Sequence, residues 1–518
     1  MRKTRIAVGG VALTIALAVT GCTAAGGGAE NAATGLVIGT TDTVVSLDPA
    51  GAYDTGSYTV IYNIYERLME IPEGETEPVP SLAESCEFTA ATTYTCTLPE
   101  GTVFTNGDEL TASDVVFSIQ RVTEIADPSG PVSMFGSLAS VSAPDDVTVI
   151  FELALADQTF PYVLANPAAS IVDEDVFAAD AILDSPSVVG SGPFALQDFA
   201  PGEQVVLTRN ADYSGAAPAK SDTIVVQSFT TSSALKLAVE DATVDVAYRS
   251  LDPADLEALR ENQDVATVLE GAGLDTRYIG FNLSLPPSEE LAVRRAIAYS
   301  IDRQAILDNV YDGRGTPLYS MINAGFGGAT EAYADEYGST PDLSAAEAEL
   351  TAAGITAPVE LELWWTPTHY GTLSGDEYTE IKRQLEETGL FTVTLESTEW
   401  QQYIGAALGD QYAMYQLGGS ADYPSSLVFL HGFYVDGGFL NNHFSDADIN
   451  AMAEQALIEP DAAVRDELLG QVQAIYAAQA PTIPLSQGLR TAVVGPGVTG
   501  VEETLDLSGM FRMSNINK

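Results

Sequence analysis

Apolar and polar positions alternate along the chain with two different periods, and the period switches repeatedly. "GLVIGTT" (35–41), "DDVTVIFEL" (145–153), "EQVVLTRN" (203–210) and "DTIVVQSF" (222–229) carry the two-residue period of half-buried strands. Between them, "DTGSYTVIYNIYERLMEI" (54–71) spaces its apolar residues as a helix does and predicts one helix over the whole stretch. "LTASDVVFSIQRVTEI" (110–125) predicts another, with Thr111 or Ser113 as N-cap and Val115, Val116, Ile119 and Val122 on its apolar side. "SSALKLAVED" (232–241) reads as a helix before the strand "VDVAY" (244–248). The later half repeats the mixture: helix 291–310, strand "VELELWW" (359–365), helix 377–388, strand "FTVTLES" (391–397), then helices near 446–457 and 460–479. Strands alternating with helices on both sides of residue 275 predict two α/β lobes.

The N-terminus departs from this pattern. A basic start with Arg2, Lys3 and Arg5 precedes an uncharged, mostly apolar run from Ile6 to Val19, shorter than the roughly 20 residues that span a bilayer as a helix. Basic, then apolar, then small residues is the order of a secretory signal peptide. Val19-Thr20-Gly21-Cys22 is the pattern read by a lipoprotein signal peptidase, so residues 1–21 are expected to be removed and Cys22 to carry lipid through its sulfur. Residues 22–35 are small and polar, a flexible tether with an r.m.s. span of about 20 Å. The expected place of the protein is the cell membrane, lipid-anchored on its extracytoplasmic face.

Export changes the reading of the other two cysteines. "SCEFTAATTYTCTL" (85–98) is two alternating runs around a Thr/Ala turn, and a hairpin centred on Ala91 sets Cys86 opposite Cys96 and Phe88 opposite Tyr94. An oxidising compartment favours a disulfide at that spacing. A metal pair is the competing idea, and it lacks a third ligand nearby.

Charge narrows the choice of partners. The chain holds 21 Lys and Arg against 73 Asp and Glu, a net charge of −52. Such a surface repels phosphate backbones, which excludes nucleic acid as a partner. Candidate catalytic groups are few. His431 and His443 have no metal-ligand arrangement such as H-E-x-x-H, so no metal and no cofactor are expected. Ser233-Ala234-Leu235-Lys236 matches S-x-x-K, but the S-D-N and K-T-G elements that this chemistry needs are absent. A lipid-anchored serine hydrolase using Ser233 and Lys236 is therefore a remote alternative to a binding protein.

Five segments in order carry a family resemblance: "SLDPAGAYDTGSYTVIYNIYERLME", "NGDELTASDVVFSIQRV", "VVGSGPFALQDFAPGEQVVLTRNADY", "VRRAIAYSIDRQAILDNVYDGRGTP" and "YAMYQLGGSADYPSS". With them the chain resembles, from about residue 36 to its C-terminus, the peptide-binding members of solute-binding protein family 5. These are the dipeptide and oligopeptide receptors of ABC importers. The resemblance implies a two-lobed, periplasmic-binding-protein-like (Venus flytrap) α/β fold. Lobe I would comprise 36–272 plus 489–518, with an extra subdomain at 76–188, and lobe II 273–488. It implies a monomer that closes on a short peptide and delivers it to an ABC permease and ATPase complex, without covalent chemistry.

Site residues follow from the same resemblance. Tyr53, Asp54 and Thr55 would run beside the peptide backbone, with Gly192 and Phe194 in a turn near the same cleft. Asp422, followed by Tyr423, would take the ligand α-ammonium. Arg249 and Arg314 are the candidate cations for the ligand carboxylate, and Trp365 is a candidate aromatic surface. One departure stands out: the family often has Trp where Gly419 stands, which implies an enlarged or reshaped pocket. An oligosaccharide or nickel chelate on the same fold is the alternative within this class.

Overall fold

The computed structural model describes residues 35–183, 188–249, 251–367 and 369–518. The expected signal peptide, Cys22 and nearly all of the tether lie outside the described residues. Among the described residues no helix is long and apolar enough to cross a membrane.

An 11-stranded mixed sheet runs through the molecule. At one end Phe391–Ser397, Val359–Trp365 and Met414–Ser420 lie parallel, and at the other Val246–Tyr248, Leu36–Thr40 and Thr223–Ser228 do the same. The antiparallel strands Gln204–Arg209 and Phe194–Ala200 complete the second end. Two long antiparallel strands, Thr267–Phe281 and Thr482–Val494, join the ends. Their pairing shifts register between Ala272 and Thr276, and beyond that shift Thr267–Phe281 takes Met414–Ser420 as its other neighbour. Gly273 sits there because a Cβ would meet the Gly488 carbonyl oxygen at 2.6 Å.

A separate four-stranded antiparallel sheet orders Ser85–Ala90, Thr93–Thr97, Thr148–Leu153 and Leu138–Ser142. It packs with helix Ala112–Ile125 around its own apolar cluster of Val115, Ile119, Val149, Phe151 and Phe160. Cys86 pairs with Cys96 across this hairpin and the two form a disulfide; Phe88 pairs with Tyr94, ring centroids 4.7 Å apart. Thr111 is the N-cap of the helix, in a reciprocal capping box with Asp114.

Two helix expectations need correction. The helix expected over 54–71 spans only Thr55–Ile64. Past Ile64 the backbone is claimed by tertiary partners: Gly192 N–H donates to the Ile64 carbonyl, Ile171 N–H to Glu66, and the Arg67 guanidinium to the carbonyls of Tyr62 and Tyr65. The helix expected over 291–310 is two helices, Leu291–Ser300 and Arg303–Val310. Ile301 is extended, and the Asp302 carboxylate accepts from Ala305 N–H at 2.9 Å, which caps the second helix and restarts the chain in a new direction.

Candidate functional site

The cleft is built first by the N-terminal end of helix Thr55–Ile64. Asp54 caps it, accepting from Ser57 N–H at 2.8 Å. Gly56 lets that turn lie against residue 43, since a Cβ there would meet the Thr43 carbonyl oxygen at 2.3 Å. The cap turns Tyr53 outward, 41% exposed, and its hydroxyl donates to the Asp422 carboxylate at 2.8 Å. Asp422 follows the strand Met414–Ser420, and its carbonyl accepts from Asn166 Nδ2 at 3.0 Å. Asp422 is exposed and lines the cleft. The surrounding walls strip water from the carboxyl and hold it above the usual carboxylate range, opposed by the Tyr53 hydrogen bond.

Around this pair is a cavity of about 640 Å3, lined also by Thr55, Tyr58, Asn166, His369 and Arg490. A second cavity of about 470 Å3 adjoins it, and both are walled by Arg249 and Asp275. Arg277, Arg314, Tyr311 and Tyr370 line the second. Four arginines (249, 277, 314 and 490) thus face the two chambers, against the carboxylates of Asp54, Asp275, Asp422 and Glu270. In a chain with 21 basic and 73 acidic residues, a lining with as many cations as anions is locally free of the acidic excess. Such a lining suits a zwitterionic or doubly charged ligand, and apolar rings from Tyr53, Tyr58, Tyr62 and Phe511 supply the rest of the surface.

The structure brings together some of the sequence-expected residues and separates others. Tyr53, Asp54, Thr55, Asp422 and Arg249 share the first chamber, and Arg249 and Arg314 share the second. Arg249 is ion-paired with Asp42 at 3.2 Å, and Arg314 with Asp312 at 3.5 Å. Tyr423 points away from the cavity; it is buried and stacks on Tyr162 with centroids 5.5 Å apart. Gly192 lies behind helix Thr55–Ile64, where a Cβ would meet the Ile64 carbonyl carbon at 2.7 Å, and Phe194 is fully buried in the core beside it. Trp365 ends its strand against Gly375 and lines neither chamber. At Gly419 a Cβ would meet nothing within 4 Å, so an open space stands where a large side chain would fit.

Sequence reading missed Arg277, Arg490 and His369. The first two are single cations inside otherwise apolar strands, "TRYIGF" and "GLRTAVV", and an arginine kept in such a strand is the signal that marks them. Arg490 donates to the Tyr248 hydroxyl and, at 3.2 Å, to the Asp506 carbonyl. The His369 ring stacks on Trp400 at 3.5 Å, and burial together with Arg277 holds its pKa below the usual range. Chemistry of the hydrolase type has no support here: Lys236 pairs with Glu240 at 2.9 Å and Ser233 bonds Asp255 at 3.2 Å. His443 bonds Asp410 at 2.7 Å, and no group of three metal-ligating side chains occurs among the described residues.

Several known proteins are similar to this chain in sequence and in fold. A probable D,D-dipeptide-binding periplasmic protein of Escherichia coli (strain K12) is 26% identical over 501 residues, covering 93% of this chain and 94% of that protein. The solved structure of HbpA2 from Haemophilus parasuis shares the fold with a TM-score of 0.81 at 22% identity, covering 93% and 99% of the two chains. The ABC transporter-associated periplasmic binding protein DppA from Helicobacter pylori, solved with the peptide STSA, matches with a TM-score of 0.73 at 23% identity, covering 93% and 97%. The model of the middle part of the bacterial extracellular solute-binding proteins, family 5, matches residues 77–441. With most of its length inside that match, and with a two-lobed fold to go with it, this chain belongs to solute-binding protein family 5, whose members are extracytoplasmic binding receptors and not enzymes.

Proposed function

We propose that this protein captures short peptides in the cleft and delivers them to the permease of an ABC importer while tethered by lipid on Cys22. The observation that carries the reading is Asp422, a carboxylate at the cleft wall that accepts a hydrogen bond from the Tyr53 hydroxyl at 2.8 Å and, among the described residues, makes no ion pair. A ligand ammonium seated there gains a charge-assisted hydrogen bond in partly dehydrated surroundings. Ser420, Ala421 and Ser508–Phe511 also line the chamber, and main-chain pairing there would accept a peptide whatever its side chains. Closure would turn about the register shift at 272–276 and its partner residues 487–489, with lobe I comprising 36–272 plus 489–518 and lobe II 273–488. A monomer suffices, because both walls of the cleft come from one chain.

A thermal-shift screen of the lipid-free chain against di- to hexapeptides, oligosaccharides and nickel chelates tests the reading. A peptide at 100 times its Kd adds about 2.7 kcal/mol of apparent stability. A shift with a sugar or chelate and none with any free-amine peptide would sink it.

A further inference from the structure

Resting on the two-lobe closure proposed above, we infer that Tyr423 is the latch of the closed cleft. It is a positioning residue, holding the Asp422 wall in place from outside the ligand chambers. The buried apolar clusters divide along the two lobes. One draws its buried members only from Leu274 to Leu485, and two others only from 36–272 and 489–518. The cluster under the small sheet takes one buried residue from the other lobe, and among the described residues that residue is Tyr423 alone. Its ring is buried and stacks on Tyr162 at an interplanar angle of 27°. Its hydroxyl lies beside Thr159 and Asp157. Tyr162 belongs to helix Phe160–Ala165 and Thr159 is the N-cap of that helix, so the socket is a lobe I feature and the plug a lobe II residue.

Local chain geometry ties the plug to the ligand wall. Pro424 keeps the residue before it extended, and Ser425 N–H donates to the Tyr423 carbonyl at 2.8 Å. Successive side chains of an extended chain point to opposite sides. Asp422 therefore lines the cleft while Tyr423 enters the socket. Polar ties cross the same seam: Asn166 Nδ2 to the Asp422 carbonyl at 3.0 Å, Gln158 N–H to the Leu457 carbonyl at 2.9 Å, and Glu77 to Arg465 at 4.0 Å. Water replaces such bonds when the lobes part. The stacked rings have no replacement, because opening carries the faces of Tyr423 and Tyr162 into water. Opening is therefore opposed most strongly at Tyr423, by an amount independent of what the cleft holds.

The test is stopped-flow release of Ala-Ala, Ala-Ala-Ala and Ala-Phe-Ala from the full lipid-free chain, with small-angle scattering of the same chain stripped of ligand. Tyr423→Ala is expected to release every peptide about 10- to 100-fold faster, by one common factor, and to expand the ligand-free protein. Tyr423→Phe keeps the ring and its stacking, and is expected to restore release and scattering to those of wild type. Tyr423→Leu fills the socket without the stack, and its release about 2- to 10-fold faster than wild type gives a second reading if Tyr423→Ala fails to fold. Release unchanged in the folded variants overturns the latch. So does a factor that differs from peptide to peptide, since it makes Tyr423 a ligand contact. Wild type that binds none of the peptides overturns the peptide reading, and scattering then decides the latch by itself. An expanded Tyr423→Ala supports the latch in that case, and curves equal to wild type overturn it.

Discussion

Two aspartates show what separates a structural carboxylate from one proposed to bind ligand. Asp48 is buried in the core and accepts from four donors: Arg121 through both terminal nitrogens (3.0 and 2.8 Å), Ala50 N–H at 3.0 Å and Leu183 N–H at 2.7 Å. Asp422 stands at the cleft wall with the Tyr53 hydroxyl at 2.8 Å. Asp48 is enclosed with its acceptor sites filled, whereas Asp422 is exposed at the cleft and keeps acceptor sites that the proposed ligand ammonium would use.

Breaking the core pair should give the largest effect. Asp48→Ala leaves the Arg121 guanidinium, 2% exposed, without its partner, and unfolding in urea should register a loss of about 3–5 kcal/mol. The fraction that stays folded should bind peptide normally; a selective loss of binding would break the contrast.

Asp422→Ala should do the reverse. Peptide affinity should fall by about 2–5 kcal/mol, because the ligand ammonium loses its carboxylate. Calorimetry should find the melting temperature of the free protein unchanged or slightly raised. A fall in stability like that of Asp48→Ala would place Asp422 among the structural groups.

Removing the disulfide with Cys86→Ser and Cys96→Ser is expected to cost about 2–3 kcal/mol by loop-closure entropy. Peptide affinity should not change, since the hairpin lines neither chamber. Altered affinity would couple the small sheet to the cleft.

The smallest effect is on pH dependence. Ammonium binding needs ionised Asp422, so affinity is full above the pKa of that carboxyl and is lost as pH falls through it. Because the cleft holds this pKa above the usual value of about 3.9, the loss should begin at a higher pH than an ordinary aspartate would give. The Tyr53 hydroxyl stabilises the charged form, so Tyr53→Phe should move the midpoint further up. A midpoint unmoved by that change, read by titration calorimetry across pH, would remove Tyr53 from the site.

Legibility in the sequence followed the range of the forces involved. The strand "DDVTVIFEL" reads from its alternation because Val149, Phe151 and Leu153 bury one face in the small sheet's core. Thr111 reads as a cap because capping involves residues within one turn. The stop at Ile64 did not read, since the carbonyls beyond it bond to Gly192 and Ile171, more than 100 residues away in sequence. Gly192 and Phe194, expected from the family resemblance in a turn near the cleft, pack behind the helix whose other side faces the cavity. Arg277 stands out as a lone cation in its strand, but nothing local tells a strand arginine that braces a loop from one that lines a cavity.

By itself, then, the sequence determined the alternation of strands and helices, the pairing of Cys86 with Cys96, the excess of negative charge and the family. These rest on periodicity, short-range register and composition, all of which are properties of neighbours along the chain. The tertiary structure alone decided which charges meet: that Tyr53 reaches Asp422 across 369 residues, and that arginines 249, 277, 314 and 490 collect around two adjoining chambers of an otherwise acidic molecule. Electrostatic balance depends on distance and burial, and both are set only when the two long strands join the two parts of the sheet.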